Sequence, residues 1–161
     1  MPGLESLLGR LIQARVEFVI VEGFAAMAHG VTLVTQDIDV CLRFSPTNLF
    51  QLRDALVDLH PVHRMTPQRT PLQINEANVS ELRNLYLDTD YGQLDCLSEV
   101  KAIGGFDAVA ALSEEAELAP GRCRVLGIEG LIRAKEATGR VQDRLAILQL
   151  RAIQEREAGD S

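Results

Sequence analysis

Residues 19–42 constrain the fold more than any other part of the chain. An apolar segment turns at Gly23, an alanine-rich segment follows as far as Gly30, and the stretch ends in the sequence Thr-Gln-Asp-Ile-Asp-Val. The apolar, β-branched residues before Gly23 predict a buried strand, and the segment up to Gly30 predicts a short helix that glycine terminates. Asp37 and Asp39 would then lie on one face of a second strand, because side chains alternate along a strand.

This pair of carboxylates indicates one half of a metal site. Two adjacent negative charges are unfavourable unless a positive charge lies between Asp37 and Asp39. A hard divalent cation such as Mg²⁺ or Mn²⁺ prefers carboxylate oxygens and fits this position. The alternative interpretation is that the two aspartates mark a solvated strand end.

Asp95 is a third candidate ligand. It stands between Leu94 and Cys96 in another predicted strand, where an acidic residue needs a compensating partner. If that strand lies beside the one carrying Asp37 and Asp39, the three carboxylates form a cluster suited to two-metal chemistry on phosphates. The alternative role for Asp95 is a hydrogen bond to a neighbouring loop.

Composition limits the class of protein. A chain of 161 residues with 47% hydrophobic and 24% charged residues predicts one globular domain. A net charge of −7 argues against a broad nucleic-acid-binding surface. The three cysteines are widely spaced and form no CxxC pair, which argues against disulfides and a zinc site. Without a recognisable signal peptide or membrane span, we expect a cytoplasmic protein.

The pattern of apolar residues predicts an α/β (α+β) fold, in which a small mixed β-sheet is flanked by helices. We expect a single domain over residues 1–161, with a core over 15–100 and a helical C-terminal part over 127–156, interrupted near Gly139. Residues 61–80 contain three prolines and predict a loop with a short strand near 71–74. The predicted helices span 3–14, 24–29, 46–60 and 107–112, and a turn and N-cap at Ser45-Pro46-Thr47-Asn48 precede the third. The predicted strands span 17–21, 38–43, 82–87, 93–97 and 123–126.

Two blocks of the sequence combine these residues into longer patterns. The first block is Glu22-Gly23-x-Ala25-x-x-x-His29-Gly30-x-x-x-x-Thr35-x-Asp37-Ile38-Asp39. The second, looser block is Leu131-Ile132-x-x-Lys135-x-x-x-Gly139-Arg140-x-x-Asp143. Together they resemble the DNA polymerase β-like nucleotidyltransferase superfamily, and more narrowly its small bacterial members.

The resemblance implies Mg²⁺-dependent transfer of a nucleoside monophosphate from a nucleoside triphosphate to a hydroxyl acceptor, whose identity stays open. It implies that Asp37 and Asp39 are metal ligands and that Asp95 is both a ligand and the general base. It also implies that Gly23 faces the phosphates and that Lys135 lies near the triphosphate. The short chain leaves open a homodimer that builds the acceptor cleft between its subunits.

Two positions depart from the family pattern and motivate an alternative. Glu22 replaces the first glycine of a Gly-Gly pair, and a carboxylate there repels a triphosphate unless it turns away or pairs with a cation. Leu33 stands where related sequences often carry arginine. The alternative function is a catalytically inert binding or interaction module with the same fold, within a toxin–antitoxin pair, for example. A third option is a structural metal-binding domain.

Overall fold

A mixed seven-stranded β-sheet forms the centre of the protein in the computed structural model, which describes residues 3–32 and 35–159. The strand order is β3-β4-β5-β2-β1-β9-β8, and β6 and β7 form a separate two-stranded ladder. The strands are β1 (Phe18–Ile20), β2 (Asp37–Leu42), β3 (Val62–His63), β4 (Leu85–Thr89), β5 (Gly92–Leu97), β6 (Glu99–Val100), β7 (Gly104–Gly105), β8 (Ser113–Leu118) and β9 (Gly121–Leu126).

Helices pack against this sheet and form the C-terminal end of the described chain. The first helix contacts β2, β5 and β9, and the last two helices contact each other. The fold is therefore the mixed α/β arrangement with a helical C-terminus that the sequence predicted. The helices are α1 (Leu4–Gln13), α2 (Gly23–Ala28), α3 (Pro46–Leu56), α4 (Phe106–Ala111), α5 (Ile128–Thr138) and α6 (Arg144–Gly159).

Strand β2 occupies the middle of the sheet and has one apolar and one acidic face over its first residues. It pairs antiparallel with β1 and parallel with β5. Ile38 and Val40 are completely buried, so they anchor β2 in the hydrophobic core. Asp37 and Asp39 alternate with them and therefore point to the opposite face.

Asn48 fixes the end of β2 to the chain before β1. Its side-chain amide donates hydrogen bonds to the carbonyls of Glu17 (3.0 Å) and Arg43 (2.8 Å), and its Oδ1 accepts one from the Glu17 N–H (2.7 Å). The Asn48 N–H in turn donates to the hydroxyl of Ser45, the predicted N-cap of α3. Asn48 is only 1% exposed, so this polar side chain is buried because all its hydrogen bonds are satisfied.

The structure corrects three predictions of local structure. The short strand in the proline-containing segment is Val62–His63 rather than 71–74, where Pro71 makes only an isolated bridge to Val62. Proline has no N–H to donate to a ladder. The edge strand β8 was not predicted, because its sequence Ser-Glu-Glu-Ala-Glu-Leu lacks β-branched residues. Helix α6 continues to Gly159, beyond the predicted end at 156.

Cys41, Cys96 and Cys123 are buried free thiols. Burial raises the pKa of the Cys41 thiol to about 11, and it also raises that of Cys96. Over residues 3–32 and 35–159, every helix is too short or too polar to cross a lipid bilayer.

Candidate metal centre

Asp39 and Asp95 lie side by side on two neighbouring parallel strands. They are direct register partners in the β2–β5 ladder. On the far side of β5, Tyr86 of β4 is the register partner of Asp95. The row continues to Arg64, just after β3, whose N–H donates to the Tyr86 carbonyl at 3.0 Å. Strands β2, β5 and β4 and the residue after β3 thus place these four side chains in one row across the sheet.

Asp37 completes a cluster of three carboxylates. One oxygen from each of Asp37, Asp39 and Asp95 lies within 4.8 Å of the other two. Asp95 is buried, whereas Asp37 and Asp39 are half-buried. The Thr35 hydroxyl donates to the Asp37 Oδ1 at 3.2 Å, which orients that carboxylate. The predicted convergence of the three residues is therefore present in the fold.

The cluster is electrostatically strained without a cation. Burial, followed by the negative charges of Asp37, Asp95 and Glu22, raises the pKa of Asp39 to about 8. Ionisation of all three carboxylates is therefore disfavoured in the cation-free protein. A cation among the carboxylates would favour their ionised forms, since opposite charges stabilise one another.

The donor set fits Mg²⁺ or Mn²⁺. Three hard carboxylate oxygens suit these ions, whereas thiolate and imidazole ligands suit zinc. Oxygens bound to Mg²⁺ lie about 2.1 Å from the ion, so neighbouring ligand oxygens lie about 3 Å apart. Side-chain rotations of Asp37 and Asp39, which are the more exposed members, would shorten the oxygen–oxygen distances from within 4.8 Å to that spacing.

A cavity of about 510 Å³ opens over the cluster. Gly23, at the first turn of α2, and Lys135, on α5, both line it. The sequence-derived site residues therefore face one cavity. The other lining residues are Glu22, Thr35, Asp37, Asp39, Tyr86, Asp95, Leu97, Arg140, Gln142 and Asp143.

Lys135 is buried within an ion-pair network. It is 5% exposed, and its Nζ lies 3.2 Å from Asp143 Oδ1 and 3.7 Å from Glu22 Oε2. This burial excludes a solvated surface position for Lys135. Glu22 therefore pairs with cations, which is one of the two conditions under which a carboxylate at this position would not repel a triphosphate. Burial raises the pKa of Glu22, against the opposing effect of Lys135 and Arg140.

Arg140 is the more accessible cation of the network. Its Nε donates to Asp143 Oδ2 at 2.9 Å, and its Nη2 lies 4.0 Å from Glu22 Oε2. The Arg140 side chain is 48% exposed. It converges with Lys135 because Gly139 ends α5 in a left-handed conformation (φ +65°) and reverses the chain.

Asp95 is held by a second arginine. Arg64 donates from Nη1 and Nη2 to the two carboxylate oxygens of Asp95, the latter bond at 2.9 Å. The Arg64 guanidinium also lies 5.7 Å from the centre of the Tyr86 ring. This ion pair raises the pKa of Arg64 further.

Sequence reasoning missed Arg64, Tyr86 and the role of Glu22 as a partner of Lys135. Arg64 lies in the proline-containing segment 61–80, where no periodicity indicated a strand. Tyr86 could have been found, because it alternates with the apolar Leu85 and Leu87 in the predicted strand over 82–87. Leu33, the second departure from the family pattern, lies outside the described residues.

Comparison with known proteins adds no family assignment. No protein-family model matches the chain, and no curated protein sequence matches it. The functional argument therefore depends on the carboxylate cluster and the cavity above it.

Proposed function

We propose that the protein is a divalent-metal-dependent nucleotidyltransferase. It would move a nucleoside monophosphate from a nucleoside triphosphate to a hydroxyl acceptor. The observation that supports this proposal is the cluster of Asp37, Asp39 and Asp95, whose oxygens lie within 4.8 Å of one another at the base of a cavity of about 510 Å³.

In the proposed reaction the acceptor oxygen forms a bond to the α-phosphorus and the bond to the bridging α–β oxygen breaks. Pyrophosphate leaves, and Asp95 takes the proton of the acceptor hydroxyl. Mg²⁺ bound by the three aspartates would supply positive charge that lowers the pKa of the acceptor hydroxyl and stabilises the leaving group. Asp37, which the Thr35 hydroxyl orients, and Asp39 would hold that ion.

The opposite wall of the cavity would take the triphosphate. Gly23 carries no side chain, so the backbone at the start of α2 is open to a phosphate. Arg140 is half-exposed there and offers guanidinium donors that suit phosphate oxygens. Lys135 would act indirectly. Its ammonium group offsets the negative charges of Glu22 and Asp143, the same two carboxylates that lie beside Arg140.

Release of pyrophosphate tests this proposal directly. The purified protein is incubated with Mg²⁺, each of the four nucleoside triphosphates and a pool of small-molecule, RNA and protein acceptors. We expect pyrophosphate release from at least one triphosphate, and loss of that release in Asp37→Asn, whose fold is checked by circular dichroism. Equal release by the wild type and Asp37→Asn would contradict the proposal.

One observation favours a second candidate, an inert interaction module with the same fold. Glu22 and Asp143 neutralise Lys135 and Arg140, so the wall has no net positive charge to attract a triphosphate. Isothermal titration of each triphosphate with Mg²⁺ separates the candidates, because an inert module would give no binding heat. For the transferase, we place the protein in the cytoplasm, where nucleoside triphosphates are available.

A further inference from the structure

Arg64 is directly bonded to the carboxylate cluster but belongs to neither the predicted ligands nor the predicted phosphate-binding residues. Its guanidinium donates to both oxygens of Asp95, and its side chain is 19% exposed. Among residues 3–32 and 35–159, it is the one cation hydrogen-bonded to Asp37, Asp39 or Asp95.

The position of Arg64 in the sheet determines how far its side chain must extend to contact Asp95. Its backbone continues the β3–β4 ladder opposite Tyr86, and Asp95 lies one strand beyond. Adjacent strands are about 4.8 Å apart, so the side chain must extend across Tyr86 to reach Asp95. Only an arginine offers a planar fork that binds both carboxylate oxygens at this distance; a lysine offers a single point charge.

The charges around the cluster explain why such a cation is present. Asp37, Asp39 and Asp95 would carry three negative charges when ionised, and Glu22 adds another nearby. Lys135 and Arg140 do not offset them, since each is paired with Asp143 and lies close to Glu22. Nearly buried carboxylates without a countercharge destabilise a fold.

We propose that Arg64 is a positioning residue that supplies the countercharge of the carboxylate cluster in the metal-free protein. It binds both oxygens of the Asp95 carboxylate beside Asp39 and offsets part of the negative charge of the cluster until a cation binds. The inference deepens the proposed function because it rests on the metal centre, but it does not depend on nucleotidyl transfer.

A double-mutant cycle in EDTA tests the countercharge without any metal. We would measure urea unfolding of the wild type, Arg64→Gln, Asp37→Asn and the double variant. Arg64→Gln should destabilise the wild type, and the loss should be about halved or less in the Asp37→Asn background, where one of the repelling charges is absent. An equal loss in both backgrounds would overturn the proposal.

Metal rescue gives a second readout that a purely structural arginine would not change. The rise in melting temperature on adding saturating MnCl₂ should be about twice as large for Arg64→Gln as for the wild type, because Mn²⁺ replaces the missing charge. The rise in melting temperature of Arg64→Lys should lie between those of the wild type and Arg64→Gln. Arg69→Gln is the control for loss of a nearby arginine charge, because Arg69 forms a more exposed ion pair with Asp88, outside the cluster; its Mn²⁺ shift should equal that of the wild type.

The outcomes distinguish this inference from the proposed function. A positive double-mutant cycle and a larger Mn²⁺ shift without pyrophosphate release would support Arg64 as countercharge and contradict the transferase. Equal Mn²⁺ shifts for the wild type and Arg64→Gln would contradict the role of Arg64, whatever the activity. If Arg64→Gln fails to fold in EDTA, folding of Arg64→Gln on addition of MnCl₂, or folding of the double variant in EDTA, would support the countercharge, and failure of both would overturn it.

Discussion

Asp39 and Asp95 are direct register partners on the parallel strands β2 and β5. Two acidic side chains at the centre of a sheet face each other across one strand spacing, a position in which like charges repel. The fold retains both, supports Asp95 with Arg64 and adds Asp37 beside them. This arrangement places like charges together at one point of the sheet, and in our proposal a divalent cation binds there.

The pH dependence of stability should reveal this cost. The pKa of Asp39 rises to about 8 in the folded, cation-free protein, so the folded state binds a proton that the unfolded state has released above about pH 4. The free energy of unfolding should therefore fall as the pH rises from about 4 to about 8, and level off above that range. Urea unfolding in EDTA across this range measures the slope.

Asp39→Asn should remove most of that slope and stabilise the protein above pH 8. Asp54→Asn is the matched control, because Asp54 lies on the exposed face of α3 and pairs with its neighbour Arg53. A slope that is unchanged in Asp39→Asn would show that other groups cause the pH dependence.

Lys135→Met should lower stability substantially. The substitution leaves the nearly buried Asp143 and the half-buried Glu22 without their shared ammonium group. Removing one member of a buried ion pair costs about 3–5 kcal/mol, and Arg140, which still contacts Asp143, should keep the loss at the lower end. Urea unfolding at neutral pH measures it, and a loss near zero would mean that Lys135 is not a structural partner of these carboxylates.

Arg140→Gln should separate nucleotide binding from folding. Arg140 is half-exposed, so its stability effect should be small. Its loss should raise KM for the nucleoside triphosphate about tenfold, equivalent to about 1.4 kcal/mol of binding, with a smaller change in kcat. Arg144→Gln, on the exposed start of α6, should leave KM unchanged. Steady-state pyrophosphate release measures both, and equal KM values for the two variants would remove Arg140 from the phosphate site.

Asn48→Ala should destabilise the fold without affecting metal binding. Three hydrogen bonds join Asn48 to Glu17 and Arg43, and their loss leaves polar backbone groups unsatisfied, at a cost of about 2–4 kcal/mol. Asn78→Ala, whose bonds are local and more exposed, should cost less than about 1 kcal/mol. Comparable losses in the two variants would contradict the structural role of Asn48.

The sequence predicted the parts of the fold that local patterns determine. The apolar run before Gly23, the alternation around Asp37 and Asp39, and the cap at Ser45 all correspond to elements of the structure. The sequence predicted that Asp95 joins the other aspartates if its strand lies beside theirs. The parallel pairing of β2 with β5 fulfils this condition.

Other features depend on contacts that no local pattern contains. Arg64 reaches the cluster only because the short strand β3 pairs with β4, and β3 lies in a segment whose prolines obscure it. Lys135 and Arg140 meet because Gly139 reverses the chain, although their spacing of five residues predicts different faces of one helix. Edge strand β8 is charged rather than apolar, as exposed sheet edges often are.

Titration of Mn²⁺ into the metal-free protein, followed by isothermal calorimetry at pH 8, tests the central claim most directly. We expect saturable binding to the wild type and to Asp54→Asn, and at least about a tenfold weaker affinity in Asp37→Asn and Asp95→Asn, because each loses a charged ligand. Absence of binding to the wild type, or equal affinity in Asp37→Asn, would contradict a metal centre at the three aspartates.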